Sequence, residues 1–192
     1  MHNIKILYNP FEKQAASKLV GVGIGFLIIG SLSAYFFNGR FDNFLHFDLD
    51  KNPAIWKPFL DNLIILGCLF LFLLTAGKII NAKTRAIDIL ATGLIGNAPF
   101  YIMALSNING MLAKSTDDLI PLLSHPELSV PVQSIIILSV IGIFGILIPI
   151  WVILLLYNGF KTAANAKSTK AVVLFIAALV ATLITTLFIP TF

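Results

Sequence analysis

The residues of this sequence that are able to do chemistry are few, and their spacing keeps them apart. The three histidines, His2, His46 and His125, each stand alone, with no H-E-x-x-H helix, G-x-S-x-G elbow or cysteine–histidine cluster to arm them. The single cysteine, Cys68, sits between Gly67 and Leu69. It has no partner for an intramolecular disulfide and reads as a small buried hydrophobe rather than a reactive thiol. Asp48, Asp50 and Asn52 imitate the opening of a calcium-binding EF-hand loop. The imitation ends there, because Pro53 replaces the required glycine and Phe59 the bidentate glutamate. Gly21, Gly23 and Gly25 do not complete a G-x-G-x-x-G phosphate turn, since Phe26 or Ile28 occupies the last position. The expectation is a chain with no catalytic residue, no metal and no cofactor.

What remains is a set of polar and helix-breaking positions inside apolar runs: Asp88, Asn97, Pro99 and Pro149, with Asp61 at the start of another run. Ionisable groups at membrane depth are costly and count as functional candidates by default. Asp88 lies three residues after Arg85, close enough on a helix for a local ion pair. Pro99 lacks an N–H, so in a regular helix it would free the carbonyl of Ile95. Asn97 could then bond across helices or line a polar cavity, and Pro149 is expected to kink a second helix. Broken helices are compatible with transport, although no internal repeat or charged midplane pair accompanies them.

The elements that position these residues follow from composition. Of the 192 residues, 58% are hydrophobic and 11% charged, against roughly 25% charged in soluble domains. Too few charges exist to cover a water-exposed surface, so much of the surface must meet lipid. No basic, aromatic-interleaved patch points to nucleic acid. Five stretches reach the roughly 20 residues a spanning helix needs, at about 19–37, 59–80, 86–108, 135–157 and 171–189. The fold expected is an all-α bundle of five transmembrane helices forming one domain. The first stretch is too long for a signal peptide core and reads as an uncleaved anchor.

Lysine and arginine placement orients it. With five crossings and a cytoplasmic N-terminus, nine basic residues lie inside: Lys5, Lys13, Lys18, Lys78, Lys83, Arg85, Lys161, Lys167 and Lys170. Arg40, Lys51, Lys57 and Lys114 lie outside. Without the third crossing the split falls to seven against six, so the positive-inside tendency favours five spans with the C-terminus outside. Residues 1–18 read as a short segment at the inner interface. Residues 38–58 read as an aromatic, acidic outer loop whose three carboxylates could touch a cation weakly, although solvation explains them equally well. In the next outer loop, Ser115 and Asp118 suggest the start of a short interfacial helix cut off by prolines. For helix packing, Gly21 and Gly25 form G-x-x-x-G, and Ala177 and Ala181 repeat the small-xxx-small spacing.

Three segments carry a resemblance to the Yip family of Ypt/Rab-interacting membrane proteins and their compact bacterial relatives. Asn9-Pro10-Phe11-Glu12 is similar to the lead before that family's first span. The run from Asp88 through Asn97 to Pro99 is similar to its acid-to-proline third span. The stretch from Trp151 to Tyr157, followed by Lys170 to Val173, resembles its last two helices and the basic loop between them. The resemblance implies five helices and a cytosolic N-terminus. In eukaryotic members it implies traffic between endoplasmic reticulum and Golgi and binding of small GTPases. This chain departs from them in having no long polar N-terminal region, which argues against GTPase binding and for a bacterial inner-membrane protein over an endoplasmic reticulum or Golgi one. The expected function is a non-enzymatic scaffold or adaptor that packs with itself or other membrane proteins in the bilayer. The alternative is a small transporter or lipid-handling protein built on the third and fourth spans.

Overall fold

The computed structural model describes residues 8–52, 54–124, 129 and 131–189, apart from the side chain of Leu123. His2, Lys5, Pro53, His125, Pro126 and Glu127 lie outside the described residues, as do positions 1–7 of the N-terminal segment. A 3-10 turn at Pro10–Glu12 leads into α1 (Ala16–Phe36). A hairpin of β1 (Gly39–Asn43) and β2 (His46–Leu49) follows, then α2 (Trp56–Ile80) and α3 (Ala86–Asn97). A 3-10 segment, Ala98–Gly110, connects α3 to α4 (Met111–Ser124), and α5 (Val132–Ala164) and α6 (Thr169–Phe188) complete the chain.

Among the described residues, five helical units are long and apolar enough to cross a membrane, the third being α3, the 3-10 segment and most of α4 together. With 81% of the chain helical, lipid-facing apolar surface comes from helices, and the chain is a multi-pass membrane protein. The first, second and fifth spans start and end within three residues of their expected limits. The fourth runs seven residues further, to Ala164. Lys161 in its last turn complements the helix dipole. Asn165 then adopts a left-handed conformation (φ 49°), and Ala166 N–H returns to the Lys161 carbonyl at 3.0 Å, closing the helix end.

α3 occupies the centre, in contact with α1, α2 and α5. The third span is the least apolar, with a hydropathy of 1.5 against 2.0 to 2.8 for the others. It is also 67% buried, where no other span exceeds 33%. Protein rather than lipid surrounds it, so it needs less hydrophobicity. Close approach rests on glycine. A Cβ on Gly23 of α1 would stand 2.5 Å from Leu94 Cβ, and one on Gly159 of α5 would stand 2.6 Å from Thr92. Gly30 lies directly against the Tyr101 ring and Gly96 against Leu156. Small residues at such crossings let backbones pack closely where no hydrophobic effect drives helices together.

Two loop expectations need correction. Residues 39–49 form an antiparallel hairpin rather than an open loop, with Gly39 opposite Leu49 and Asn43 opposite His46. Its aromatic residues turn inward: Phe41 and Phe44 are buried, and Phe41 packs on Phe47, Phe100 and Tyr101 at ring separations of 5.4 to 5.6 Å. Beyond a kink at Asn107–Asn109, where a loop with a short turn was expected, a 14-residue helix, α4, starts at Met111, so Ser115 lies inside it and not at its cap. Asn107 supplies the reason. Its Oδ1 accepts the Ala113 N–H at 3.0 Å, satisfying a first-turn donor four residues earlier than Ser115 could.

Candidate functional site

The polar side chains gather at two ends of the bundle. At the hairpin end, Arg40 of β1 donates from Nε to Asp61 Oδ2 at 3.0 Å and from Nη2 to Oδ1 at 2.8 Å. This bidentate pair joins the hairpin to α2, with the Asp61 side chain 1% and the Arg40 side chain 12% exposed. The Asp61 hydrogen bond and charge hold the Arg40 pKa above its ordinary value against the opposing effect of burial. Next to it, Asn62 Nδ2 donates to Ser31 Oγ at 2.9 Å, linking α2 to α1. Thr186 of α6 donates to Asn43 Oδ1, and its hydroxyl accepts the Phe44 N–H at 3.3 Å. Asn107 Nδ2 donates to the Phe37 carbonyl at 2.7 Å. The Arg40, Asn43 and Phe37 bonds tie the hairpin or its root to α2, to α6 and to the 3-10 segment, and the Asn62 bond ties α2 to α1. At the rim, Asp50 accepts from Lys57 at 3.3 Å and from the Asn52 N–H at 3.0 Å. Burial raises the Asp50 pKa, but those two donors together with Arg40 outweigh it and leave the carboxyl below its ordinary range.

The break in the third span is better satisfied than its sequence indicates. Ala98 N–H bonds to the Ile95 carbonyl, the acceptor that Pro99 was expected to strand. Tightening to 3-10 geometry after Asn97 shifts each bond by one residue, so the missing proline N–H leaves no orphan at that carbonyl. Asn97 is 5% exposed and lies beside the Tyr101 hydroxyl. Among the described residues its Oδ1 has no hydrogen-bond partner, and its side chain lines neither of the two apolar grooves nor the small niche beside them. Asp88 makes the anticipated i,i+3 pair with Arg85, at 3.6 Å. α5 continues through Pro149 as a single helix.

The helix-packing positions lie on unexpected faces. Gly21 and Gly25 have nothing within 4 Å of an added Cβ, whereas Gly23 and Gly30 make the contacts within the chain. Ala177 is exposed and Ala181 half-buried; the buried face of α6 is carried one residue on, by Ala178 and Thr182. A period of 3.6 residues sets neighbouring positions 100° apart, so a one-residue error changes the face.

Two apolar grooves open between helices. One of about 400 Å³ lies between the 3-10 segment and the first half of α5, lined by Ile102, Ile108, Ile136 and Phe144. A larger trough of about 680 Å³ separates α1 from α5, with Ile95, Ala98, Pro99 and Tyr101 contributed by the third span. Val22, Phe26 and Ile29 form one wall and Trp151 and Leu155 the other, and Gln14 and Lys18 stand at the end away from the hairpin. A small niche of about 120 Å³ adjoins that end, lined by Gln14, Leu19, Asp88 and Thr162 among others. Among the described residues, no group of three or more histidine, cysteine or carboxylate side chains is placed to hold a metal ion.

Asp61 stands out in the sequence, but nothing local marks Arg40 as its partner or distinguishes Ser31, Asn43, Asn107 and Thr186. Asn62 directly after Asp61 at the head of an apolar run was a usable signal, since polar side chains in spans tend to bond across helices. Comparison with protein-family models, with curated proteins and with solved structures found no match to this chain.

Proposed function

We propose that this chain is a non-enzymatic membrane scaffold or adaptor of the Yip type that packs against another membrane helix through the Gly21–Gly25 face of α1. One observation carries the reading. At 100° per residue, Gly21 and Gly25 fall 160° either side of Gly23 on the helix, opposite the face that meets Leu94 and Tyr101. One glycine pair serves the chain's own core, and the other presents a notch that no described residue fills. A second copy of the chain is the simplest occupant, because a G-x-x-x-G notch is self-complementary.

Orientation rests on charge. Lys13, Lys18, Lys78, Lys83, Arg85, Lys161, Lys167 and Lys170 lie at the end away from the hairpin, which supports a cytoplasmic setting for that end and an outer one for the hairpin. A bacterial inner membrane agrees with the resemblance to compact bacterial members of that family. The resemblance of the Asp88–Pro99 run and of the Trp151–Tyr157 stretch supports the family reading.

The test is cysteine cross-linking in native membranes. With Cys68 replaced by alanine, Ile28→Cys on the exposed face of α1 is expected to yield a cross-linked species, and Gly21→Leu with Gly25→Leu is expected to abolish it. A monomer alone, or cross-linking indifferent to the two leucines, would overturn the proposal.

A further inference from the structure

The trough and the niche share Gln14 and Leu19, so an apolar channel and a half-polar pocket meet at the inner end of α1. We infer that together they hold one phospholipid with a primary-amine headgroup, its chain in the trough, its phosphate at Lys18 and its amine at Asp88. This inference stands independently of the packing partner proposed for Gly21 and Gly25.

Shape and charge choose the occupant. Lys18 and Ser33 both line the trough and lie 15 residues apart on α1. At 1.5 Å per residue that is about 22 Å, longer than the depth of one leaflet, half of a roughly 30 Å hydrocarbon core. A lipid chain can therefore lie along the trough for its whole length. The trough volume falls in the range of ~300–1,000 Å³ typical of small-molecule sites. Its apolar walls end at a single exposed cation, Lys18, which suits a phosphate. The smaller groove beside Ile136 and Phe144 has no charged lining residue and so selects no headgroup.

Asp88 decides between headgroups. Its ionic partner among the described residues is Arg85, at 3.6 Å and with 69% of that side chain exposed. That distance exceeds the roughly 2.7–2.9 Å of a charge-assisted hydrogen bond, and solvent screens the pair. The carboxylate is thus weakly satisfied in the wall of the niche, whose lining also includes Gln14 and Thr162. An ammonium supplies the strong donor it lacks; a choline cannot donate, and a glycerol head brings no positive charge.

Native mass spectrometry of the delipidated protein, titrated with dioleoyl phosphatidylethanolamine, phosphatidylcholine and phosphatidylglycerol, tests this. Wild type is expected to retain the ethanolamine lipid about fivefold over the other two, the scale of one partly exposed ion pair. Asp88→Asn is expected to remove the preference without loss of phosphatidylglycerol binding, and Lys18→Gln to weaken all three lipids. Val22→Trp, at an exposed lining position, is expected to fill the trough and abolish retention while leaving the fold intact by circular dichroism. Equal retention of the three lipids by wild type, a preference that survives Asp88→Asn, or unchanged retention by Val22→Trp would each overturn the assignment.

Discussion

Substituting Asp61 by asparagine removes one charge from a pair that tertiary structure has almost sealed from water. Arg40 then keeps its guanidinium next to a neutral amide that accepts one hydrogen bond where the carboxylate accepted two, at 3.0 and 2.8 Å. Breaking a buried ion pair from one side costs about 3–5 kcal/mol, because the remaining charge is left desolvated. The 12% exposure of Arg40 and the residual amide bond put Asp61→Asn at the lower limit, about 3 kcal/mol. At roughly 2–4 °C per kcal/mol for a chain of this size, the midpoint should drop by about 6–12 °C. Asp61→Leu, which offers no acceptor, should approach about 5 kcal/mol. The decisive variant is the double substitution Arg40→Met with Asp61→Leu. Replacing both charges by apolar groups of similar volume is often neutral or stabilising, so the double variant should lie within about 1 kcal/mol of wild type. Reversible unfolding in mixed micelles with increasing dodecyl sulfate, followed by circular dichroism, measures all four proteins. The reasoning is refuted if the double variant is as unstable as Asp61→Leu alone, since the cost would then come from lost packing of the hairpin and not from an orphaned charge.

The two glycine faces of α1 should separate cleanly: Gly30→Val drives a side chain into the Tyr101 ring and should cost about 1–3 kcal/mol by overpacking, whereas Gly21→Ala should leave the unfolding midpoint unchanged or slightly raised. Asn107→Leu removes the bonds to the Phe37 carbonyl and the Ala113 N–H. A loss of about 1–3 kcal/mol should appear as faster amide exchange confined to the first turn of α4. Asp50 has a folded pKa below its unfolded value, so its contribution is fully present above the unfolded pKa and disappears as pH falls through the folded one. Thermal unfolding between pH 6 and pH 2 should therefore show a shallower acid loss in Asp50→Asn than in wild type, and identical slopes would contradict the assigned donors.

Sequence alone determined the membrane-spanning helices of this protein, because lipid imposes a local rule: a run of about twenty apolar residues satisfies its own backbone in a helix whatever its neighbours are. The limits of α1, α2 and α6 obey that rule, and the Arg85–Asp88 pair, three residues apart, was legible for the same reason of locality. The centrality of α3 was hidden, since modest hydropathy marks a weak span and a protein-enclosed one alike, and only packing distinguishes them. So was the glycine face: Gly21, Gly23 and Gly25 are equivalent in composition, and the angle at which α1 meets Leu94 decides which of them is needed inside. The hairpin and the Arg40–Asp61 pair join positions 21 residues apart, and Thr186 meets Asn43 across 143. No local periodicity encodes such distances; they arise when five helices bring their polar ends to one side of the bundle and the buried groups there must find partners.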